Sequence, residues 1–410
     1  MLQENPPRDR RLIFAAALLR SVGVGMSGVL LGVYLPTAGL SATRLGIIIA
    51  TGIAGNIAGL APLAIAGDRG GRRRTLVALA LLAATGGVAF ALTDSFVVLA
   101  VFSFAGMMNG MGRDRGPAFA FEQAILPTIV RDRQRTWVLA QYNLVLDAGH
   151  AIGSLAGAVP VLLRWWLHVD LLGSYRAAFA LYGALNVVAA ALYAGLSRAV
   201  DGGSGTVESE AGGQMRLSPP SRRVIARLSA LLGLDALGGG FLGGALVGYW
   251  FFRRYGLAEQ ALGPLFFASR VLNAISHLGA AGLAGRIGLV NTMVFTHIPS
   301  SVALMAVPLA PSLPWAIGLF LVRESLVEMD VPTRQSYVAA VVAPRERARA
   351  SAITNLCRNS AWAAGPTLAG YAMQHVALAL PLFIGGTIKI AYDLLLYGAF
   401  RHLKPPEERD

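Results

Sequence analysis

Apolar runs about as long as a bilayer's hydrocarbon core is thick recur from one end of this 410-residue chain to the other. A backbone crossing that layer meets no water, so each N–H and C=O must be paired within the structure, and a helix does this locally. The runs therefore call for a bundle of membrane-spanning helices and exclude the two or three soluble domains that length alone would allow. Composition agrees, with 55% hydrophobic residues, 14% charged and a mean hydropathy of +0.57.

Apolar length, punctuated by Gly, Pro and charge clusters, predicts twelve spans, at approximately 12–37, 42–66, 75–93, 96–129, 136–163, 174–198, 223–251, 260–284, 290–310, 313–342, 350–374 and 377–400. Residues 199–222 lack periodicity and are rich in Gly, Ser and Pro, as a flexible linker would be. The expected organisation is an N-terminal six-helix bundle over 1–198, a cytoplasmic linker over 199–222 and a C-terminal six-helix bundle over 223–410.

An internal repeat supports the division into halves. Gln123 to Gly153 (QAILPTIVRDRQRTWVLAQYNLVLDAGHAIG) and Gln335 to Gly365 (QSYVAAVVAPRERARASAITNLCRNSAWAAG) align without a gap at an offset of 212 residues, with nine identities over 31 positions. The matched pairs include Gln123/Gln335, Arg133/Arg345, Arg135/Arg347, Asn143/Asn355 and Gly153/Gly365. A repeat of half the length in so apolar a chain means duplicated bundles.

The net charge of +13 would suit a nucleic-acid binder if it were gathered on one face, but it lies in loops. With the N-terminus inside, cytoplasmic segments hold about 21 Arg and Lys, and external loops about five: Arg44, Arg164, Arg176, Arg253 and Arg254. That asymmetry puts both termini and the linker in the cytoplasm and assigns most of the charge to anchoring against anionic lipid. The leading MLQENPPRDRR precedes a run of transmembrane length without an A-x-A site, so a retained first helix is expected. The single cysteine, Cys357, cannot form an intramolecular disulfide and is expected to pack inside a helix.

Between the second and third spans stands Gly67-Asp68-Arg69-Gly70-Gly71-Arg72-Arg73-Arg74. It resembles the G-x-x-x-D-R-x-G-R-R signature of the major facilitator superfamily, with Ala64 where the first glycine of that pattern falls and a worn second copy around Gly285-Arg286-Ile287-Gly288. With the repeat, the resemblance covers essentially the whole chain. It implies an all-α membrane protein of twelve transmembrane helices in two pseudo-symmetric bundles, working as a secondary transporter by alternating access. It also implies a cytoplasmic gating cluster of Asp68, Arg69 and Arg72, with Glu122 of the fourth span receiving Arg72.

Charges inside the spans carry the sharper functional signal, because each costs at least about 2.5–3.5 kcal/mol at the bilayer centre unless it has a partner or an aqueous cavity. Arg20 lies in the first span. Arg113-Asp114-Arg115 falls midway along the fourth, and Arg323-Glu324 in the tenth, two positions from a match under the repeat offset. Neighbours on a helix diverge by about 100°, so one member of each pair can face a cavity while the other binds an adjacent helix. Asn143, Asp147 and His150 share one face of the fifth span, and Asp147 with His150 makes a candidate proton-exchange pair whose repeat partners are Asn359 and Trp362. Asp235 sits in the Gly-rich seventh span, Arg270, Asn273 and His277 share a face of the eighth, and Lys389 with Asp393 reads as an internal i,i+4 pair of the twelfth.

No phosphate loop, nucleophile elbow or His/Cys set at metal-ligand spacing accompanies these residues, so no enzyme, metal or cofactor is expected. The reading is a monomeric, multi-pass protein of the cell membrane that moves a small solute, an organic anion or drug-like compound, coupled to protons. Substrate contacts are assigned to Arg20, Arg113, Asp235, Arg270, Asn273 and Arg323, and proton coupling to Asp114, Asp147, His150 and Glu324. Sodium coupling would more often require an unwound helix offering carbonyl oxygens, and none is evident in the sequence. A lipid-handling protein of the same fold and a non-transporting receptor or scaffold stay open at this level.

Overall fold

A computed structural model describes residues 6–65, 71–114, 116–130, 134–201, 219–329 and 347–400. Among the described residues the ordered structure is entirely helical: α1 Pro6–Thr37, α2 Ala42–Ile65, α3 Arg72–Leu92, α4 Phe96–Gly106, α5 Pro117–Ile125, α6 Arg135–Ala156, α7 Val159–Leu167 and α8 Leu171–Ala194, then α9 Pro219–Gly240, α10 Gly244–Tyr255, α11 Glu259–Ile287, α12 Leu289–Ala306, α13 Leu313–Val327, α14 Arg347–His375 and α15 Leu380–Phe400. Within the described residues, the twelve predicted spans correspond to these helices or to a helix broken in two, and residues 330–342 of the tenth lie outside them. Eight described stretches are long and apolar enough to cross a membrane. Their exposed sides carry large apolar residues such as Leu181, Val187 and Val188 on α8, which is what a helix surface facing acyl chains requires.

The fourth span is the main departure from expectation. A continuous helix was predicted over 96–129, yet α4 ends at Gly106, residues 107–114 and 116 are irregular, Arg115 lies outside the described residues, and α5 starts at Pro117. Met107, Gly110 and Gly112 all adopt positive φ, at 56°, 60° and 70°. Proline at the first turn of α5 cannot donate to a preceding helix, so the ladder restarts there. Glycines on the neighbouring helices let the irregular strand of backbone lie close: a Cβ at Gly52 would stand 2.0 Å from the Met108 carbonyl oxygen, and one at Gly28 would stand 2.6 Å from the Gly112 Cα.

The chain divides into two compact units, one of residues 1–215 with 247–267, the other of 216–246 with 268–410. In the first, α1 packs on α6 and α8, α3 on α8, and α2 and α3 on α4. Segment 247–267 joins this unit through Glu259, fully buried, which accepts hydrogen bonds from Arg164 and from the Tyr175 hydroxyl at 2.7 Å. In the second unit, α9 packs on α14 and α15, and α12 on α13 and α15.

The repeat has a structural meaning in both units. A Cβ at Gly153 of α6 would stand 2.1 Å from the Val22 carbonyl oxygen and 3.0 Å from the Gly25 Cα of α1; one at its repeat partner Gly365 of α14 would stand 2.5 Å from the Gly240 Cα of α9. In each half, then, the first and fifth spans cross at a glycine contact too close for any side chain. Most of the predicted linker, 202–218, lies outside the described residues, but Asp201 at its start accepts the Arg73 backbone N–H at 3.0 Å and caps the first turn of α3. Cys357, expected to pack inside, is exposed on α14.

Candidate functional site

Arg20 is the hub of the first unit. Its position on α1 turns it toward the irregular segment, α5 and α8, where its Nε donates to Asp114, its Nη1 to the Tyr193 hydroxyl, and its Nη2 to Glu122 Oε2 at 2.6 Å. Glu122, fully buried, also accepts the Tyr142 hydroxyl at 2.6 Å and the Tyr193 hydroxyl at 2.7 Å. Three donors converging on one carboxylate replace the water that its ionised form would need. Asp114 is held from a second side: its backbone N–H donates to His150 Nε2 at 2.8 Å, and its Oδ1 accepts the Gly116 N–H at 3.3 Å.

A cavity of about 50 Å³ opens beside this cluster, and Arg20, Asn56, Asn109, Arg113, Asp114 and Tyr182 lie on its wall. Arg113 and Asp114 do not diverge around a helix as predicted. They sit on unwound backbone, and both reach the same cavity.

The second unit brings its charges together in two groups. Glu324 of α13 accepts the Asn273 side-chain N–H of α11 at 2.9 Å and pairs with Arg323, its own sequence neighbour. The expected split, one member to the cavity and one to an adjacent helix, is therefore replaced by a local pair. Asp235 of α9 accepts Lys389 Nζ of α15 at 2.7 Å, while Asp393 of α15 meets His297 Nδ1 of α12 at 2.9 and 3.0 Å. Where a Lys389–Asp393 pair was predicted, Lys389 and Asp393 each make an interhelical contact. Arg270 is half-buried on α11.

Several predicted roles change with these placements. Asp147 is exposed on α6 and His150 is buried against the Asp114 backbone, so the two do not form a proton pair. Glu122 is taken by Arg20, Tyr142 and Tyr193 rather than by Arg72, which is buried at the first turn of α3. Asp68 and Arg69 lie outside the described residues. Sequence reasoning missed Tyr142, Tyr193 and His297. The tyrosines carry no signal of their own, but His297, midway along a predicted span, falls under the same cost argument that singled out His150.

Long apolar helices with buried ion pairs mark a polytopic membrane protein, and comparison makes the class specific. The Major Facilitator Superfamily profile matches residues 13–366, so the chain belongs to that superfamily and is a transporter of some solute. It is similar to the uncharacterized membrane protein YJR124C of Saccharomyces cerevisiae, 25% identical over 417 residues that cover 95% of this chain and 93% of that one. Among solved structures it is similar in fold to a bacterial homologue of the human lysosomal transporter Spinster (TM-score 0.69, 17% identity, 96% and 95% of the two chains). It likewise resembles the nucleoside transporter NupG (TM-score 0.72, 12% identity, 97% and 100%) and a D-xylose-proton symporter (TM-score 0.72, 14% identity, 99% and 99%).

Proposed function

We propose that the protein is a proton-coupled transporter of a small organic anion, working by alternating access with both termini in the cytoplasm. The observation that carries this reading is that Arg20 and Arg113 line one cavity in which Asp114 is already bound to Arg20. A guanidinium keeps its charge at every relevant pH, so it cannot exchange the proton itself. The carboxylate can. Protonating Asp114 removes its claim on the Nε face of Arg20 and leaves that face, on a wall that Arg113 shares, for a carboxylate or similar group on the solute. Proton and anion then favour one another's binding, which is the energetic requirement for moving them together.

Irregular backbone at 107–116 offers the kind of carbonyls a sodium site would use, contrary to the sequence-based expectation. Arg113 beside the Arg20–Asp114 pair supports the anion reading. Arg323 is paired with Glu324, and the arginines on the wall of this cavity are Arg20 and Arg113.

The test is counterflow in proteoliposomes with a panel of small organic acids and cationic drugs across an imposed pH gradient. Organic acids should exchange and move protons with them, and Arg113→Ala should abolish this while the protein still purifies as a monodisperse species. Exchange confined to cationic compounds, or unaffected by Arg113→Ala, would overturn the proposal.

A further inference from the structure

The two asparagines on the wall of the Arg20 cavity are used differently. Asn109 is taken up by the irregular segment itself: its Nδ2 donates to the Met107 carbonyl at 3.3 Å, and its Oδ1 accepts the Met111 N–H at 3.0 Å. Asn56, on the same wall from α2, makes no hydrogen bond to any described residue. We infer that Asn56 is a specificity residue of the anion site. The solute is then a small hydroxy acid whose carboxylate meets Arg20 while its hydroxyl meets the Asn56 amide. This rests on the anion reading above and narrows its substrate class.

Gly116 brings the amide to the charged groups. A Cβ there would stand 2.7 Å from Asn56 Oδ1 and 3.7 Å from Asp114 Oδ1, so the amide and the carboxylate that releases Arg20 meet over one glycine. The Gly116 backbone, at φ −81° and ψ −173°, is extended and open to any residue, so the glycine is required by space and not by conformation. A methyl group would push the amide aside and narrow the cavity that Gly116 also lines. Tyr182 forms a fixed part of the same wall. A Cβ at Gly23 of α1 would stand 2.9 Å from its Cδ2, and one at Gly87 of α3 would stand 2.8 Å from its Cδ1. Val24, Leu79, Ala80, Ala83 and Met107 supply an apolar side.

The chemistry of the amide selects its partner. It carries two donors and an acceptor oxygen, so the group that suits it best both gives and takes a hydrogen bond. A hydroxyl does this at one atom. A second carboxylate only accepts, and an ammonium only donates and would share the wall with Arg113. Water can fill the same role in the empty cavity, and a solute hydroxyl reproduces the bond that it displaces, whereas a methylene does not. The hydrocarbon between the two polar ends lies against the apolar side, and a cavity of about 50 Å³ keeps it short.

The experiment is counterflow in proteoliposomes of the full chain, run separately with butanoate, with the butanoates hydroxylated at each chain carbon, and with succinate. At least one hydroxybutanoate should half-saturate at a concentration about three- to tenfold below that of butanoate, the range that one neutral hydrogen bond covers. In Asn56→Leu that ratio should fall to about one. Gly116→Ala, whose methyl displaces the amide, should lower the ratio as well, and it decides the matter alone where Asn56→Leu does not purify. Equal affinities for butanoate and every hydroxybutanoate, a preference for succinate over all of them, or a ratio that survives the deciding variant would overturn the assignment of Asn56 and leave the anion reading standing. No exchange of any of these acids would sink the anion reading and this inference with it.

Discussion

The two units solve the same problem, holding buried carboxylates, with different cations. In the first, Arg20 holds Asp114 and Glu122 at once, and two tyrosines complete the shell of Glu122. In the second, Lys389 holds only Asp235, and the remaining carboxylate, Asp393, leans on a histidine. Arginine has a fork that binds two partners and never deprotonates, whereas lysine and histidine can pass protons along. Duplication kept the scaffold, visible in the matched glycine crossings at Gly153 and Gly365, while the polar groups it carries diverged.

The contrast can be broken most forcefully at its hub. Arg20→Ala strands two buried carboxylates, and we expect a stability loss toward about 5 kcal/mol, the upper end for an ion pair with one partner removed. Thermal unfolding in a single detergent checks this, and a midpoint near wild type would show that water reaches the cluster freely. Lys389→Met removes one buried partner of Asp235, for a loss of about 3 kcal/mol, and adding Asp235→Asn should restore part of it. A double variant no better than Lys389→Met would mean that the pair is not the unit that matters.

Smaller changes sharpen the comparison. Tyr142→Phe removes one of three donors to Glu122 and should cost about 1.5 kcal/mol, the low end for a hydrogen bond to a charged group. Asp147→Asn should change stability by less than about 0.5 kcal/mol, because Asp147 is exposed and outside both networks. A larger effect, or a shifted pH profile of transport, would return Asp147 to the coupling machinery.

The helix count was legible because bilayer thickness sets a length that any apolar run must match, and Arg-rich loops mark the ends. The break at 107–116 was legible in principle. A single helix over 96–129 would be about 50 Å long against a core of about 30 Å, and the segment is studded with Gly106, Gly110, Gly112 and Gly116. Pairing was not legible. Which acid Lys389 meets depends on the rotation of α9 and α15 about their axes, and spacing along one helix favoured Asp393 only because it is near in sequence. Arg20 was singled out correctly as costly, but its partners come from the irregular segment, α5 and α8, and no motif joins them.

The central claim is that Asp114 competes with an anion for Arg20. Its most direct measure is the pH dependence of organic-acid counterflow in wild type and Asp114→Asn. Wild-type exchange should rise steadily as pH falls, and the variant, which mimics the protonated carboxyl, should exchange at a rate insensitive to pH. A variant that retains the wild-type pH profile would contradict the account.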